Sequence, residues 1–220
     1  MTQNSNKIKL KQIRAMANRE IIMNQRLSAY FTKHFTHTTG FKASDIEKLN
    51  DYFSIKEIKK NNFIFFENND LEEYVFIVKG AVKLIRKYDT SYHQVLALLT
   101  EKNTNAINRI MQYNDKIDFT ASCTENTILL SIKQDKMQEL ISERPVFQTF
   151  FNESNKNTVR FLQDRVSVLQ MMSAFERYDD LCKNYPEIIN RFNLKDIANY
   201  LGMKSETLSR IRNSTLRKAS

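Results

Sequence analysis

Seven polar or charged side chains cluster near the C-terminus, and their types are those that contact nucleic acid: Lys204, Ser205, Glu206, Thr207, Ser209, Arg210 and Arg212. A guanidinium can donate paired hydrogen bonds to guanine O6 and N7, a carboxylate can accept from cytosine N4, and hydroxyl groups can bond a base edge or a phosphate. An amphipathic surface helix would also carry Glu and Arg four residues apart, so Glu206 and Arg210 could instead pair in solvent. We favour base contact because the flanking residues predict the structure that presents such side chains to DNA.

Those side chains belong to the second of two predicted short helices. The first helix has an apolar face at the i, i+3, i+4, i+7 spacing, formed by Leu194, Ile197, Ala198 and Leu201. Asn193 is a suitable N-cap, and Gly202 suits the left-handed residue that ends the helix. Leu208 and Ile211 then resume an apolar face. Residues 193–212 therefore predict a helix-turn-helix.

The net charge of +9 is concentrated at the two ends of the 220-residue chain. Residues 183–220 hold eight Lys or Arg against three acidic residues, and residues 1–26 hold six against one, so each end carries +5. A positive end beside the predicted helix-turn-helix is the electrostatic pattern expected for phosphate contact. The apolar runs are too short for a membrane span and no export signal is evident, so we expect a cytoplasmic protein.

The middle of the chain changes from helical to strand-like patterning. Residues 8–35 are helix-like, and residues 43–52 form a short predicted helix. Short runs rich in Phe, Ile, Val, Tyr and Thr then predict strands at 63–66, 74–78, 81–88, 94–99, 117–121 and 127–132. Six such strands predict a roll or barrel rather than a parallel sheet, with Gly80 supplying the positive φ of a hairpin turn.

After residue 134 the pattern is helical again. A short helix is predicted over 134–142, and Pro145 opens a long one that runs to about Met172. Its apolar stripe, interrupted by a polar patch at 152–158, could form a symmetric dimer or pack against the strands. Residues 173–185 predict a further helix with Phe175, Tyr178 and Leu181 directed inward, and Pro186 either ends it or turns the chain toward the helix-turn-helix.

This order of a strand roll, a long helix and a C-terminal helix-turn-helix resembles the Crp/Fnr superfamily of transcription regulators. The motifs that carry the resemblance are 173–178, 197–203 and 206–212 in the helical part and 76–84 in the roll. The resemblance implies an α+β fold with an N-terminal antiparallel β-roll like a cyclic-nucleotide-binding jelly roll, flanking helices, a long dimerisation helix and a C-terminal helix-turn-helix domain. It also implies that Ser205, Glu206, Ser209 and Arg210 contact bases, with Glu206 and Arg210 contacting a guanine and its neighbouring cytosine.

The effector site departs from the family pattern. Nucleotide-binding members use a Gly-Glu pair and a later Arg beside a small residue, whereas residues 99–110 contain no glycine and Arg109 lies between Asn108 and Ile110. We therefore do not expect cyclic-nucleotide binding. Two cysteines are too few for an iron-sulfur cluster, and His34, His37 and His93 form no ligand set, so we expect no metal and no cofactor. The paired acidic residues at 72–73 and 179–180 lack a catalytic partner, so we do not expect this chain to be an enzyme.

The C-terminus also departs from the family pattern. Winged members continue into a β-hairpin after the second helix, but only eight residues follow Arg212 and a full wing needs more. Arg217 and Lys218 would then form a basic tail on the phosphates. We expect a basic extension at 1–25, a sensor-like β-roll at 26–144, a dimerisation helix at 145–172 and a DNA-binding domain at 173–220.

The expected function is a homodimeric transcription regulator bound to a pseudo-palindromic site in double-stranded DNA, with RNA polymerase as a further partner, an unknown small-molecule effector or none, and no membrane. The alternative is a small-molecule receptor, for cyclic nucleotide among others, or a protein-interaction module whose DNA-binding end is vestigial.

Overall fold

The fold is seen in a computed structural model that describes residues 25, 29, 30, 32, 49–64, 73–87, 93–101 and 119–219. A short 3-10 helix, Leu49–Asp51, precedes the described strands. These strands are β1 (Ser54–Ile58), β2 (Glu73–Lys79), β3 (Val82–Lys87), β4 (His93–Leu99), β5 (Phe119–Cys123) and β6 (Thr127–Lys133). The helices that follow are α1 (Gln134–Glu143), α2 (Val146–Met171), α3 (Ala174–Asn184), α4 (Pro186–Arg191), α5 (Leu194–Tyr200) and α6 (Ser205–Ala219).

The described strands form two antiparallel sheets, which confirms the predicted roll. One sheet has the order β1-β6-β2 and the other has the order β4-β3-β5. Buried side chains from both sheets, among them Ile77, Leu84 and Leu129, share one apolar core. Strand β1 was missed in the sequence because only its two isoleucines are apolar, yet all five of its residues pair with β6.

Gly80 has the predicted positive φ, +123°, but the prediction of a hairpin turn is wrong. Strands β2 and β3 on either side of it belong to different sheets, so the chain crosses between sheets there. A Cβ on Gly80 would lie 2.5 Å from Thr127 Oγ1 and 2.7 Å from Thr127 Cα. The position therefore needs glycine for its backbone angle and for the close approach of β6.

Helix α2 packs against the roll near its start and is exposed further along, so packing explains only part of its apolar stripe. Near its start, Phe147 and Phe150 are buried against the roll and α1. Further along, Val159, Leu162 and Val166 are exposed. The polar patch is also partly buried, because Thr158 lies in the interior and its hydroxyl donates to the carbonyl of Ser154 at 3.0 Å.

Two details of the helical part differ from expectation, the exposure of Phe175 and the course of the last residues. Phe175 is 45% exposed rather than inward, whereas Tyr178 and Leu181 are buried as predicted. Helix α3 ends at Asn184, directly before Pro186 as expected, and Pro186 then opens α4, since proline fits the first turn of a helix where no N–H donor is needed. Residues 213–219 continue α6 instead of forming a separate tail, because no glycine or proline interrupts them.

Several predictions lie outside the described residues. They are the greater part of the helix at 8–35, residues 43–48 of the next helix, strand residues 65–66 and 117–118, the segment 102–110 with Arg109, and His34 and His37. Of the first predicted strand, Phe63 makes a single β-bridge to Ser122. The side chains of Arg217 and Lys218 are likewise outside the described part.

Candidate nucleic-acid interface

The turn between α5 and α6 has the geometry of a Schellman motif. Gly202 has φ +64°, its N–H donates to the carbonyl of Asn199 at 3.0 Å, and the N–H of Met203 donates to the carbonyl of Ala198 at 3.0 Å. These two bonds satisfy carbonyls that the helix end would otherwise leave without partners. The predicted helix-turn-helix is therefore present, and Gly202 fixes the angle at which α6 leaves α5.

The start of α5 is capped as the sequence predicted. Asn193 Oδ1 accepts from the backbone N–H of Asp196 at 2.8 Å. Asn193 Nδ2 also donates to Asp196 Oδ2 at 2.7 Å. On the next turns Ile197, Ala198 and Leu201 are buried, which gives α5 the predicted inward face.

Helix α6 divides the predicted contact residues into an exposed set and a half-buried set. Leu208 is fully buried against α5 and orients the helix. The exposed set is Lys204, Glu206, Ser209 and Arg210, and the half-buried set is Ser205, Thr207 and Arg212. Arg212 faces α3, where its charge acts on Tyr178, so it belongs less to the outward surface than the sequence suggested.

Glu206 and Arg210 are both exposed, and among the described residues no ion pair joins them. The surface pair that was the alternative interpretation is thus not formed in this structure. Both groups are available to a partner outside the chain. Their role as base contacts stays a prediction.

The helix-turn-helix is docked on the roll through Asn199 of α5. Its side chain accepts from the N–H of Val95 at 2.6 Å and donates to the carbonyl of His93 at 3.1 Å. Among the described strands β4 is at the edge of its sheet, so these bonds continue the sheet's hydrogen bonding through a side-chain amide. Covering an edge in this way protects it from pairing with another chain.

An ion pair also joins α5 to β3, the strand beside β4. Lys83 Nζ on β3 lies 2.9 Å from Asp196 Oδ2 and 3.1 Å from Oδ1. The side chains of Lys83 and Asp196 are 22% and 6% exposed. Asn193 and Lys83 together satisfy a carboxylate that would be costly to bury alone.

A second charged contact joins α4 to the roll. Arg191 makes a bidentate pair with Glu101, at 2.7 and 3.0 Å, and also bonds Glu125. Glu101 Oε1 in addition accepts from the N–H of Gly80 at 2.7 Å. Burial acts to raise the pKa of Glu101, but the bonds from Arg191 and Gly80 outweigh it and hold the pKa below its ordinary value. Both glutamates raise the pKa of Arg191, so Arg191 and Glu101 face each other as charged groups at neutral pH.

Sequence reasoning missed these docking residues, because Lys83, Asp196 and Glu101 read as ordinary surface charges. One signal could have found Asp196. It lies on the same face of a short helix as buried residues, three residues after its cap, and a carboxylate in that position needs a cationic partner.

Comparison with known proteins agrees with this architecture. Residues 55–144 match the model of the cyclic nucleotide-binding domain. A global nitrogen regulator from Nostoc is 26% identical over 119 residues, which cover 54% of this chain and 50% of that protein. The regulatory protein HlyX from Actinobacillus pleuropneumoniae is 24% identical over 167 residues, covering 71% of this chain and 69% of HlyX.

A solved structure shares the fold over most of its length. A transcriptional regulator of the crp/fnr family from Eubacterium rectale superposes with a TM-score of 0.60 at 15% identity, covering 81% of this chain and 85% of that one. The match to the Nostoc regulator spans half of that relative's length. The roll, the long helix and the helix-turn-helix give this chain the fold of the Eubacterium rectale regulator, and its residues 55–144 are similar to a cyclic nucleotide-binding domain. Within the described residues, no helix is both long and apolar enough to cross a bilayer.

Proposed function

We propose that this chain is a non-enzymatic transcription regulator of the cytoplasm that binds double-stranded DNA as a homodimer. The observation that carries the proposal is the exposed face of α6, where Lys204, Glu206, Ser209 and Arg210 are accessible beside a turn of helix-turn-helix geometry. A second helix of this motif places such side chains in the major groove. RNA polymerase is the further partner that a regulator of this kind would need.

Arg210 is proposed to contact a guanine and Glu206 a neighbouring cytosine, while Lys204 contacts phosphate. Losing a bidentate contact to a base costs about 1–3 kcal/mol and removes the preference at one position. Arg210→Ala should therefore lose discrimination between the preferred site and a site changed at that base pair. Lys204→Ala is the matched control, because losing a phosphate contact weakens all sequences alike and lowers the salt dependence.

The exposed stripe on α2 supports the dimer. Val159 and Val166 fall at a positions of a heptad, and Leu162 and Leu169 at d positions. β-Branched residues at a with leucine at d favour a parallel two-stranded coiled coil. Val159 and Val166 are 52% and 53% exposed in the single chain, so a second copy could bury both.

A charge in this stripe should separate the subunits. Val166→Glu would place two carboxylates against each other in an apolar seam, so we expect a monomer in analytical ultracentrifugation. Arg160→Glu, also on α2 but outside the a and d positions, should leave the dimer intact. A wild-type chain that is monomeric at working concentration would contradict the dimer.

The roll is proposed to have lost or changed its nucleotide site. The support is the lack of glycine in residues 99–110, since a cyclic phosphate needs closely approaching backbone donors and a cationic partner. Titration calorimetry with cyclic AMP and cyclic GMP should give no binding heat. Saturable binding of either one would overturn this part of the proposal.

Selection from a random duplex library tests the function as a whole. The wild-type chain should enrich an inverted repeat whose half-sites are about 34 Å apart, one helical turn. Arg210→Ala should enrich a repeat degenerate at one position in each half. Failure to retain any duplex even at low salt would refute DNA binding and favour a receptor or interaction module.

A further inference from the structure

A cavity of about 440 Å³ lies between the second half of α2 and the helix-turn-helix domain. Its apolar walls include Phe161 and Val168 from the second half of α2, Met172 directly after that helix, and Leu181 from α3. This volume falls within the range of small-molecule sites. The thioether side chains of Met171 and Met172 can adapt to ligands of different shapes.

Arg165 provides the first of two cationic groups in this cavity. Its guanidinium lies over the ring of Tyr200, 3.9 Å from the centroid, and contributes to the lining. Burial lowers its pKa, and the nearby charge of Arg177 acts in the same direction. Among the described residues, no carboxylate forms an ion pair with it.

Arg177 provides the second cationic group of the cavity. Its Nη1 donates to the carbonyl of Met172 at 2.9 Å and to that of Leu169 at 3.4 Å, at the end of α2. Its Nε is buried and has no hydrogen-bond partner. A guanidinium offers five N–H donors, so the fork retains unused donors.

Two carboxylates, Asp164 and Asp180, also contribute to the lining, but among the described residues neither forms an ion pair with Arg165 or Arg177. Asp180 accepts from Asn184 Nδ2 at 2.7 Å, and Asp164 is exposed. Two neighbouring guanidiniums without carboxylate partners repel each other, and an oxyanion would relieve both this repulsion and the unused donors.

We infer that this cavity binds a small organic anion, in which a planar or tetrahedral oxyanion group lies between Arg165 and Arg177 and an apolar body fills the space beside Phe161 and the two methionines. The site is separate from the nucleotide position of the roll. It also lies on a different face of α2 from Val159, Leu162 and Val166, so a dimer through that stripe would leave it accessible.

Such a ligand would contact α2, α3 and α5 at once. It would therefore hold the helix-turn-helix at one angle to the long helix, at the point where Met172 and Ser173 join them. This regulatory consequence rests on the proposed DNA-binding function, whereas binding of the anion itself does not.

Titration calorimetry of the full chain with octyl phosphate, and with octylammonium as the cation on the same apolar body, tests the inference. We expect octyl phosphate to bind once per chain and at least roughly tenfold more tightly than octylammonium. Arg165→Gln should weaken octyl phosphate by roughly tenfold, because a charge-assisted hydrogen bond is lost. Arg160→Gln, an exposed arginine of the same helix, should change it by less than about twofold.

Val168→Phe is a second variant, which fills the cavity without changing its charge and should abolish binding. Circular dichroism tests whether each variant is folded. If Arg165→Gln does not fold, the binding measured with Val168→Phe decides whether the cavity holds the anion. Equal affinity for the two amphiphiles, or unchanged affinity in the folded variants, would overturn the inference. DNA retention with octyl phosphate present is a separate measurement, so a failure of DNA binding can be distinguished from a failure of the anion site.

Discussion

Replacing Lys83 by methionine should destabilise the protein, because it leaves the carboxylate of Asp196 buried without its cation. Removing one partner of a buried ion pair costs about 3–5 kcal/mol. Here the Lys83 side chain is 22% exposed, so the pair is not fully buried. The hydrogen bond from Asn193 to Asp196 does not involve Lys83 and should persist in the variant. We therefore expect a loss of about 2–3 kcal/mol in the free energy of unfolding, below the range for a fully buried pair.

Urea unfolding at neutral pH measures this loss, with Asp196→Asn and the double variant completing a cycle. The double variant should recover part of the stability, since no buried charge remains, and the coupling should exceed about 1 kcal/mol. Lys87→Met, at an exposed lysine of the same strand, should cost less than about 0.5 kcal/mol. If Lys83→Met cost no more than this control, the docking of the helix-turn-helix on the roll as described would be refuted.

The remaining predictions concern two glycines and one carboxylate. Gly202→Ala should cost about 1 kcal/mol in thermal unfolding, because φ +64° is tolerable for an L-residue, whereas Gly80→Ala should cost more than about 3 kcal/mol because its Cβ meets the backbone of β6. Equal costs would contradict the geometry at Gly80. The lowered pKa of Glu101 means that its contribution to stability is complete above the unfolded carboxyl pKa of about 4.3 and disappears as the pH falls through the folded value. The stability gap between wild type and Glu101→Gln should accordingly be constant from neutral pH down to about 4.3 and close below it, and a gap that persisted in acid would exclude the ionised pair with Arg191 as its source.

Local features of the helical end could be predicted well from the sequence. The N-cap at Asn193, the left-handed Gly202 and the apolar spacing of α5 depend on residues a few positions apart, and each appears in the structure. Helix α1 and the bounds of α2 were predictable for the same reason. Phe175 was placed wrongly because its spacing fits the inward face, while the neighbours that determine its exposure lie elsewhere in the chain.

The roll was predictable as a class but not in its connections. Runs of Phe, Ile and Val indicate strands, yet β1 has little apolar signal and is a strand because β6 is available to pair with it. Gly80 shows the same limit, since its positive φ is a local property and the crossing between two sheets is not.

The sequence by itself determined the helix-turn-helix and the antiparallel strand region, because caps, turns and periodicity act over a few residues. Only the tertiary structure decided that Asp196 pairs with Lys83, that Asn199 covers the edge of β4 and that Arg165 and Arg177 share a cavity. These contacts join residues far apart in the chain, and whether a charge is solvated or buried depends on what the folded chain places beside it.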